Sequence, residues 1–365
     1  MKAAVLNGVG QDFVIEDIDI ADPIGREVLI DVKACGLCHS DAHIRTNDFG
    51  FPMPTVLGHE LAGVVTKIGP DVKEIAVGDH VVGCLVAFCG HCRKCAAGKP
   101  YQCEHPEETR RGEGEAPRLS RNGEAVTQFS ELSGFAEQAL VHENCVVRVT
   151  KDIPFEKACL LGCGVVTGAG AAINTASVRV GDTVAVIGCG GVGLNAVQGA
   201  RLAGAHKIIA IDLQPEKLEL AKTFGATHTI NPNEVDDVVT AVQQITESSG
   251  VDHAFEVIGL KPTAEQAIKI LGVGGGAYQI GMIPIGKQLE IDPFVDILMQ
   301  QRKYQGVYMG STNSKRDIPL YADLYQQGRF NLDDLVSKTI RLEDINEGYA
   351  ELEGGKIARS VIVFD

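Results

Sequence analysis

Between Thr183 and Asp212 the chain reads TVAVIGCGGVGLNAVQGARLAGAHKIIAID, a stretch with very few folded solutions. An apolar, β-branched run enters a glycine cluster, a helical apolar period follows, and a second apolar run ends on Asp212. Gly188, Gly190 and Gly193 stand where a tight turn, a close backbone approach and a close helix–sheet contact are needed. Strand, turn, helix and strand in that order imply a parallel sheet with helices packed on its faces. The rhythm continues through PEKLELAKTFGA, HAFEVIG with AEQAIKILG, and GAYQIG. Residues 165–308 are therefore predicted to form a doubly wound α/β domain.

The same segment points to a ligand. A helix that opens directly after such a turn offers free N–H groups and a positive dipole end to a pyrophosphate. Gly188, Gly190, Gly191, Val192 and Gly193 make up the candidate cradle. Asp212 would accept from ribose hydroxyls and repel a 2′-phosphate, so NAD is expected over NADP. Leu213 follows it where an arginine would welcome that phosphate, although Lys217 is close by.

Residues 1–164 have another texture. EVLIDVKAC, HELAGVVTKIG, DHVVGCLV, FAEQALV and CVVRV are short apolar runs between Gly, Pro and Asp, which suits a barrel-like all-β region. Residues 106–133 are polar and glycine-containing and are expected to be a long surface excursion. From Met309 the pattern is mixed, and ARSVIVFD reads as a last strand that rejoins the first domain. The expected organisation is 1–164 together with 309–365, interrupted by 165–308.

A chain of 365 residues exceeds the usual size of one core, in agreement with two domains. Its formal charge of -15 argues against nucleic acid and against anionic membrane surfaces as partners. The N-terminus places Asn7, Gln11 and Asp12 where a secretory signal needs an apolar core. The uncharged run from Ala158 to Val178 contains Gly162, Gly164, Gly168, Gly170, Thr167 and Asn174, and is expected as buried backbone turns rather than a membrane span. Eleven cysteines without a secretory signal point to metal binding or catalysis before disulfides, and to the cytoplasm.

The cysteines fall into two patterns. Cys89, Cys92, Cys95 and Cys103 form C-x2-C-x2-C-x7-C, a spacing that closes a tetrahedral structural zinc site. An iron–sulfur cluster would want a C-x3-C-P ending, which is missing. A catalytic zinc needs three protein ligands and an open position. Cys38 in GLCHSDAH, His59 in GHE and Cys163 in LLGCGVVTG would supply them. Taken singly they are a buried thiol, a turn histidine and a core cysteine; together they read as a site.

With GLCHSDAH, GHELAG, the four-cysteine lobe, GCGVVTG, GCGGVG with Asp212, and FEVIG in this order, the chain resembles the zinc-dependent medium-chain alcohol dehydrogenases over essentially its whole length. The resemblance implies a GroES-like β-rich catalytic domain, a Rossmann domain and a cleft between them that closes on NAD. It implies a catalytic zinc on Cys38, His59 and Cys163 and a structural zinc on the lobe. Ser40 would take the alcohol proton and His43 would pass it to solvent through the cofactor ribose. Asp41 would orient His59, and Glu60 would lie near the metal as a transient ligand. Thr167 and Ile280 would sit by the coenzyme and Arg359 would reach its pyrophosphate. Leu85, Phe129, Met282 and Tyr308 would wall the substrate pocket, with Met282 also touching the coenzyme. His39 departs from the pattern, because many relatives carry an arginine there that grips the pyrophosphate. The expected partner set is a small alcohol or aldehyde and a second copy of the chain in a homodimer. A thiol-adduct formaldehyde dehydrogenase, using glutathione or a similar thiol, is the alternative activity. A non-catalytic zinc or NAD-binding protein is more distant, since relatives that lost activity are expected to lose these ligands.

Overall fold

The strand Glu27–Gly36 organises the N-terminal part of the computed structural model, which describes residues 1–354 and 359–365. Its sequence EVLIDVKACG is buried at almost every position, and each flank is occupied by antiparallel partners. Glu60–Ile68 runs along one side. The other side is shared, with Gln138–His142 against its first half and Ser360–Val363 against its second. His80–Gly83 and Val146–Val149 extend the sheet outward from Glu60–Ile68. ARSVIVFD thus rejoins the first sheet as a strand, at Ser360–Val363.

The chain separates into two compact units, one of Met1–Cys163 with Asn313–Asp365 and one of Gly164–Thr312. In the first, the returning helix Ile345–Glu353 seals the core by stacking Tyr349 on Phe13 at 5.5 Å and meeting Phe135 edge-on at 6.2 Å. These rings come from both ends of the unit, so its core exists only when both are present.

The second unit holds a six-stranded parallel sheet in the order His228–Ile230, Lys207–Ile211, Thr183–Ile187, Val251–Glu256, Leu271–Gln279, Lys303–Gly306. Counted along the chain this order is 3-2-1-4-5-6, the doubly wound dinucleotide-binding arrangement. Val184, Ala185, Val186 and Ile187 are buried on both faces, which is why this strand reads as a continuous apolar run without alternation.

Two expectations are corrected. Residues 106–133 are not a simple surface excursion. They contribute the strands Leu119–Arg121, Glu124–Ala125 and Thr127–Gln128, and bury Arg118, Leu119, Val126 and Leu132. Arg118 Nε donates to Glu27 Oε1 at 2.7 Å, and Arg111 Nη2 to Glu27 Oε2 at 2.6 Å. Burial pushes the Glu27 carboxyl up, but these two arginines outweigh it and hold the group below its ordinary value. A polar sequence can lie inside when each buried charge finds a partner. The run Ala158–Val178 is not a set of turns either. It forms a 3₁₀ turn at Cys159–Gly162, a helix at Gly164–Gly170 and a π turn at Ala171–Thr175. Its small residues let the Gly164–Gly170 helix lie close to Gly191–Ala203. Among the described residues no single helix is long and apolar enough to cross a membrane; one bent pair, Phe155–Gly162 with Gly164–Thr175, passes by length and composition alone.

Candidate functional site

The central strand delivers Cys38 two residues beyond its end, as the N-cap of the helix His39–Thr46. His59 immediately precedes the neighbouring strand Glu60–Ile68. Cys163 follows the 3₁₀ turn that packs on these strands. The ligand atoms of Cys38, His59, Glu60 and Cys163 all lie within 4.8 Å of one another, and all four residues are buried. The three motifs that carry these residues along the sequence therefore meet in space.

Each group is held by named partners. His59 Nδ1 lies 3.1 Å from the Asp41 carboxylate, whose Oδ1 also accepts from the Gly58 N–H at 3.2 Å. That arrangement turns His59 Nε2 inward, where it has no hydrogen-bond partner and no exposure. Burial pulls the His59 pKa down, but Asp41 and Cys38 carry it well above the usual value. A hydrogen bond from Cys163 to Cys38 drives the Cys38 thiol well below its ordinary pKa and raises that of Cys163. Burial lifts the Glu60 carboxyl to about 7 even with Arg359 beside it, and Glu60 Oε2 is also without a partner.

Two thiols, an imidazole nitrogen and a carboxylate oxygen, with two orphaned buried acceptors among them, form a donor set that suits zinc. A cation here would satisfy both orphans and allow both sulfurs to ionise. Arg359 closes the arrangement from below. Its Nη2 is 3.0 Å from Glu60 Oε1 and 3.8 Å from Cys38 Sγ, and its Nη1 donates to the Leu37 carbonyl. The side chain expected at a pyrophosphate is thus 4% exposed and occupied by residues of the metal cluster.

On the short helix Ser40 and His43 are three residues apart, hence on one face, and both are half-buried. Ser40 Oγ is 3.6 Å from Cys38 Sγ. His39 is exposed in the first turn. Phe129 packs edge-on to His59 with centroids 6.2 Å apart, and Phe51 packs edge-on to Phe129 at 5.4 Å. Leu85 is partly buried against the core of the same unit.

The second metal set is a lobe with almost no core. The sulfurs of Cys89, Cys92, Cys95 and Cys103 all lie within 4.8 Å of one another, with Cys89–Cys103 at 3.6 Å and Cys89–Cys95 and Cys92–Cys103 at 4.0 Å, too far for disulfides and close enough for a shared ion. Backbone N–H groups point at them: Cys89 at Cys103 Sγ, Cys92 at Cys89 Sγ, Cys95 at Cys92 Sγ and His105 at Cys103 Sγ. The N–H groups of Glu104 and Cys95 bring the Cys92 thiol down to about 6. A third set, Cys89 with His91 and Glu108, borrows its sulfur from this lobe.

In the second unit Gly188 has φ +97°, which only glycine adopts without strain, and a Cβ on Gly193 would sit 1.8 Å from the Gly188 carbonyl. Gly190 caps the Gly191–Ala203 helix, and Val192 lies in its first turn. Asp212 follows the Lys207–Ile211 strand and accepts from the Cys189 and Gln214 N–H groups at 2.8 and 3.0 Å. Lys217 is half-buried on the next helix. Thr167 is buried with its hydroxyl 3.5 Å from Met309 Sδ. Ile280 and Met282 follow the Leu271–Gln279 strand, Met282 and Tyr308 being exposed. Sequence reasoning missed Phe51, whose signal was an exposed aromatic beside the metal motif, and left Glu256 in FEVIG without a role.

Comparison with known proteins agrees with this picture. Residues 25–151 match the alcohol dehydrogenase GroES-like domain, and residues 191–327 match the zinc-binding dehydrogenase family. The chain is 39% identical over 367 residues to an S-(hydroxymethyl)glutathione dehydrogenase of Synechocystis, covering 99% of both chains. It is 35% identical over 376 residues to an alcohol dehydrogenase class-3 of Cereibacter sphaeroides, covering 100% of this chain and 99% of that one. Among solved structures, benzyl alcohol dehydrogenase of Acinetobacter calcoaceticus superposes with a TM-score of 0.93 at 37% identity, covering 100% of this chain and 99% of that one.

Proposed function

Since the chain belongs to the zinc-dependent medium-chain alcohol dehydrogenase family, we propose that it moves hydride between a primary or secondary alcohol and NAD, giving an aldehyde or ketone. The observation that carries the proposal is the buried cluster of Cys38, His59 and Cys163, with His59 Nε2 unpartnered and aimed into it.

Cys38, His59 and Cys163 would hold a zinc ion, which when bound supplies Lewis acidity toward a substrate oxygen. The chain's own residues do the rest. Asp41 fixes the His59 tautomer by accepting a hydrogen bond from Nδ1–H, which leaves the Nε2 lone pair free to face the cluster. Two thiolates offset the divalent charge, with Arg359 balancing the sulfur of Cys38 and the carboxyl of Glu60. Ser40 accepts the hydroxyl proton, and His43, one turn on, carries it toward solvent. In the second unit the Gly188–Gly193 turn cradles the pyrophosphate and Asp212 accepts from the ribose. Hydride transfer itself belongs to the coenzyme.

His39 takes the position where many relatives carry a pyrophosphate-gripping arginine, and imidazole lacks the guanidinium's fixed fork. His39→Arg is expected to tighten NADH roughly threefold to tenfold. A fluorescence titration near pH 8, where an ordinary imidazole is neutral, checks this, and unchanged affinity would remove the idea.

Two substrate readings have specific support. Phe51 and Phe129 line an aromatic approach to His59, which suits an apolar or aromatic alcohol. Several relatives are named S-(hydroxymethyl)glutathione dehydrogenase, which favours an adduct of formaldehyde with that thiol. The aromatic approach to His59 is the feature on which we adopt the apolar or aromatic alcohol. Following NADH formation with benzyl alcohol, with aliphatic alcohols, and with formaldehyde plus glutathione separates them. Turnover with the thiol adduct alone would sink this choice, and no turnover with any of them would sink the enzymatic proposal.

A further inference from the structure

Glu256 closes the strand Val251–Glu256 in FEVIG and has no exposure, yet nothing in the mechanism above uses it. Its carboxylate meets donors on both oxygens. Oε1 accepts from the N–H groups of Ile258 at 3.0 Å and Gly259 at 2.9 Å, and lies 2.7 Å from the Thr263 hydroxyl. Oε2 accepts from the Gln279 side-chain amide at 2.5 Å and from Gly259 N–H at 3.1 Å. Among the described residues no lysine, arginine or histidine pairs with it. Burying a carboxylate is costly unless donors replace its hydration, and here the donors come from its own turn, Thr263 and Gln279.

The segments it ties together share one location. The turn after Glu256 packs on the phosphate loop: Val257 N–H donates to the Ile187 carbonyl, and a Cβ on Gly188 would sit 2.7 Å from Ile258. On the other flank, Ile280 and Gly281 N–H donate to the Glu256 carbonyl at 2.9 and 3.0 Å. Gln279 Nε2, already on the carboxylate, also donates to the Gly281 carbonyl. Glu256 therefore joins three backbone segments, 187–189, 257–259 and 279–282, at the carboxyl ends of three adjacent strands. In an open parallel sheet a dinucleotide lies over those ends.

We infer that Glu256 is a positioning residue for the coenzyme, acting through the Ile258–Gly259 turn and the Ile280–Met282 segment; this rests on the dinucleotide reading of the second unit. The Gln279 amide cannot turn over to suit a changed partner. Its Oε1 accepts from the Tyr304 hydroxyl at 2.8 Å, which together with Gly281 fixes which end faces Glu256. Glu256→Gln keeps the size but must aim an NH2 group at a donor, either Gln279 or Gly259. The strained contact is relieved by moving the segments that line the crevice. Changing Gln279 itself would not mend this, because its amide nitrogen is also the donor to the Gly281 carbonyl.

The test is NADH affinity in the zinc-loaded protein. Glu256→Gln is expected to weaken NADH about tenfold, the effect of one buried polar mismatch, with zinc content unchanged. The KM for the coenzyme should rise in step while turnover at saturating coenzyme stays within about twofold of the parent, a split that a merely destabilised domain would not give. Thr263→Val, which removes a single donor at the domain's margin, should weaken NADH by a smaller factor and remain measurable should Glu256→Gln not fold. Parent-like NADH binding by Glu256→Gln, or by Thr263→Val where that is the only folded variant, overturns the inference, as does a fall in turnover at saturating coenzyme as large as the loss of affinity. A parent protein that takes up no NADH overturns the coenzyme reading instead.

Discussion

Ser40→Ala is expected to lower turnover by about 10²–10⁴-fold while zinc content and NADH affinity stay at parent level. General-base assistance from a placed side chain contributes on that scale. The hydroxyl stands 3.6 Å from Cys38 Sγ, at the edge of the metal cluster, and His43 shares its helix face. Removing it leaves Cys38, His59 and Cys163 in place, since none of them takes its orientation from Ser40 alone. His59 is held by Asp41, and the cluster is buried from the strand side. Zinc analysis and single-turnover rates read the two effects apart. Loss of zinc together with activity would show that Ser40 is a structural support, and retained activity would end its role in proton transfer.

Cys92→Ser should have the opposite profile, with the lobe's zinc lost and the cluster at Cys38, His59 and Cys163 still loaded. The lobe is organised by four backbone N–H bonds that end on the sulfurs of Cys89, Cys92 and Cys103. Cys92 Sγ also caps the short helix Arg93–Ala96. Structural zinc in small domains contributes about 10–16 kcal/mol of apparent binding energy. Losing even ~3 kcal/mol of local stability opens a segment roughly a hundredfold more often. Limited proteolysis between residues 89 and 110 should quicken by about that factor. An unchanged cleavage rate with the metal gone would mean that the lobe is held by its anchor at Asn144 and Phe88 instead.

The parts of the molecule legible in the sequence were those in which one residue type at one spacing leaves few physical options. TVAVIG and KIIAID read as inner parallel strands because they are apolar throughout, and the sheet buries both their faces. The four-cysteine lobe was legible because no apolar packing competes with the metal reading there. Arg118 was not legible: its burial depends on Glu27, ninety-one residues away in sequence, and a charged residue in a polar segment gives no sign of such a partner. Ala158–Val178 was misread because glycine signals a turn locally, whereas here small residues serve close helix contact. Glu256 looked like an ordinary strand end, since the donors that give it meaning come from its own turn, from Thr263 and from Gln279.

The interleaved order of the two units sets a timetable for synthesis. Gly164–Thr312 is continuous, so everything its sheet needs has been synthesised before Asn313–Asp365 is made. The earlier half, though begun first, has a gap beside Ala34, Cys35 and Gly36 that only Val361, Ile362 and Val363 fill. Until residues 359–363 are made, the strand beside Ala34–Gly36 and the guanidinium of Arg359 are both missing. The metal pocket can therefore be completed only after the second unit has been synthesised, even though its first ligand, Cys38, precedes that unit in the chain.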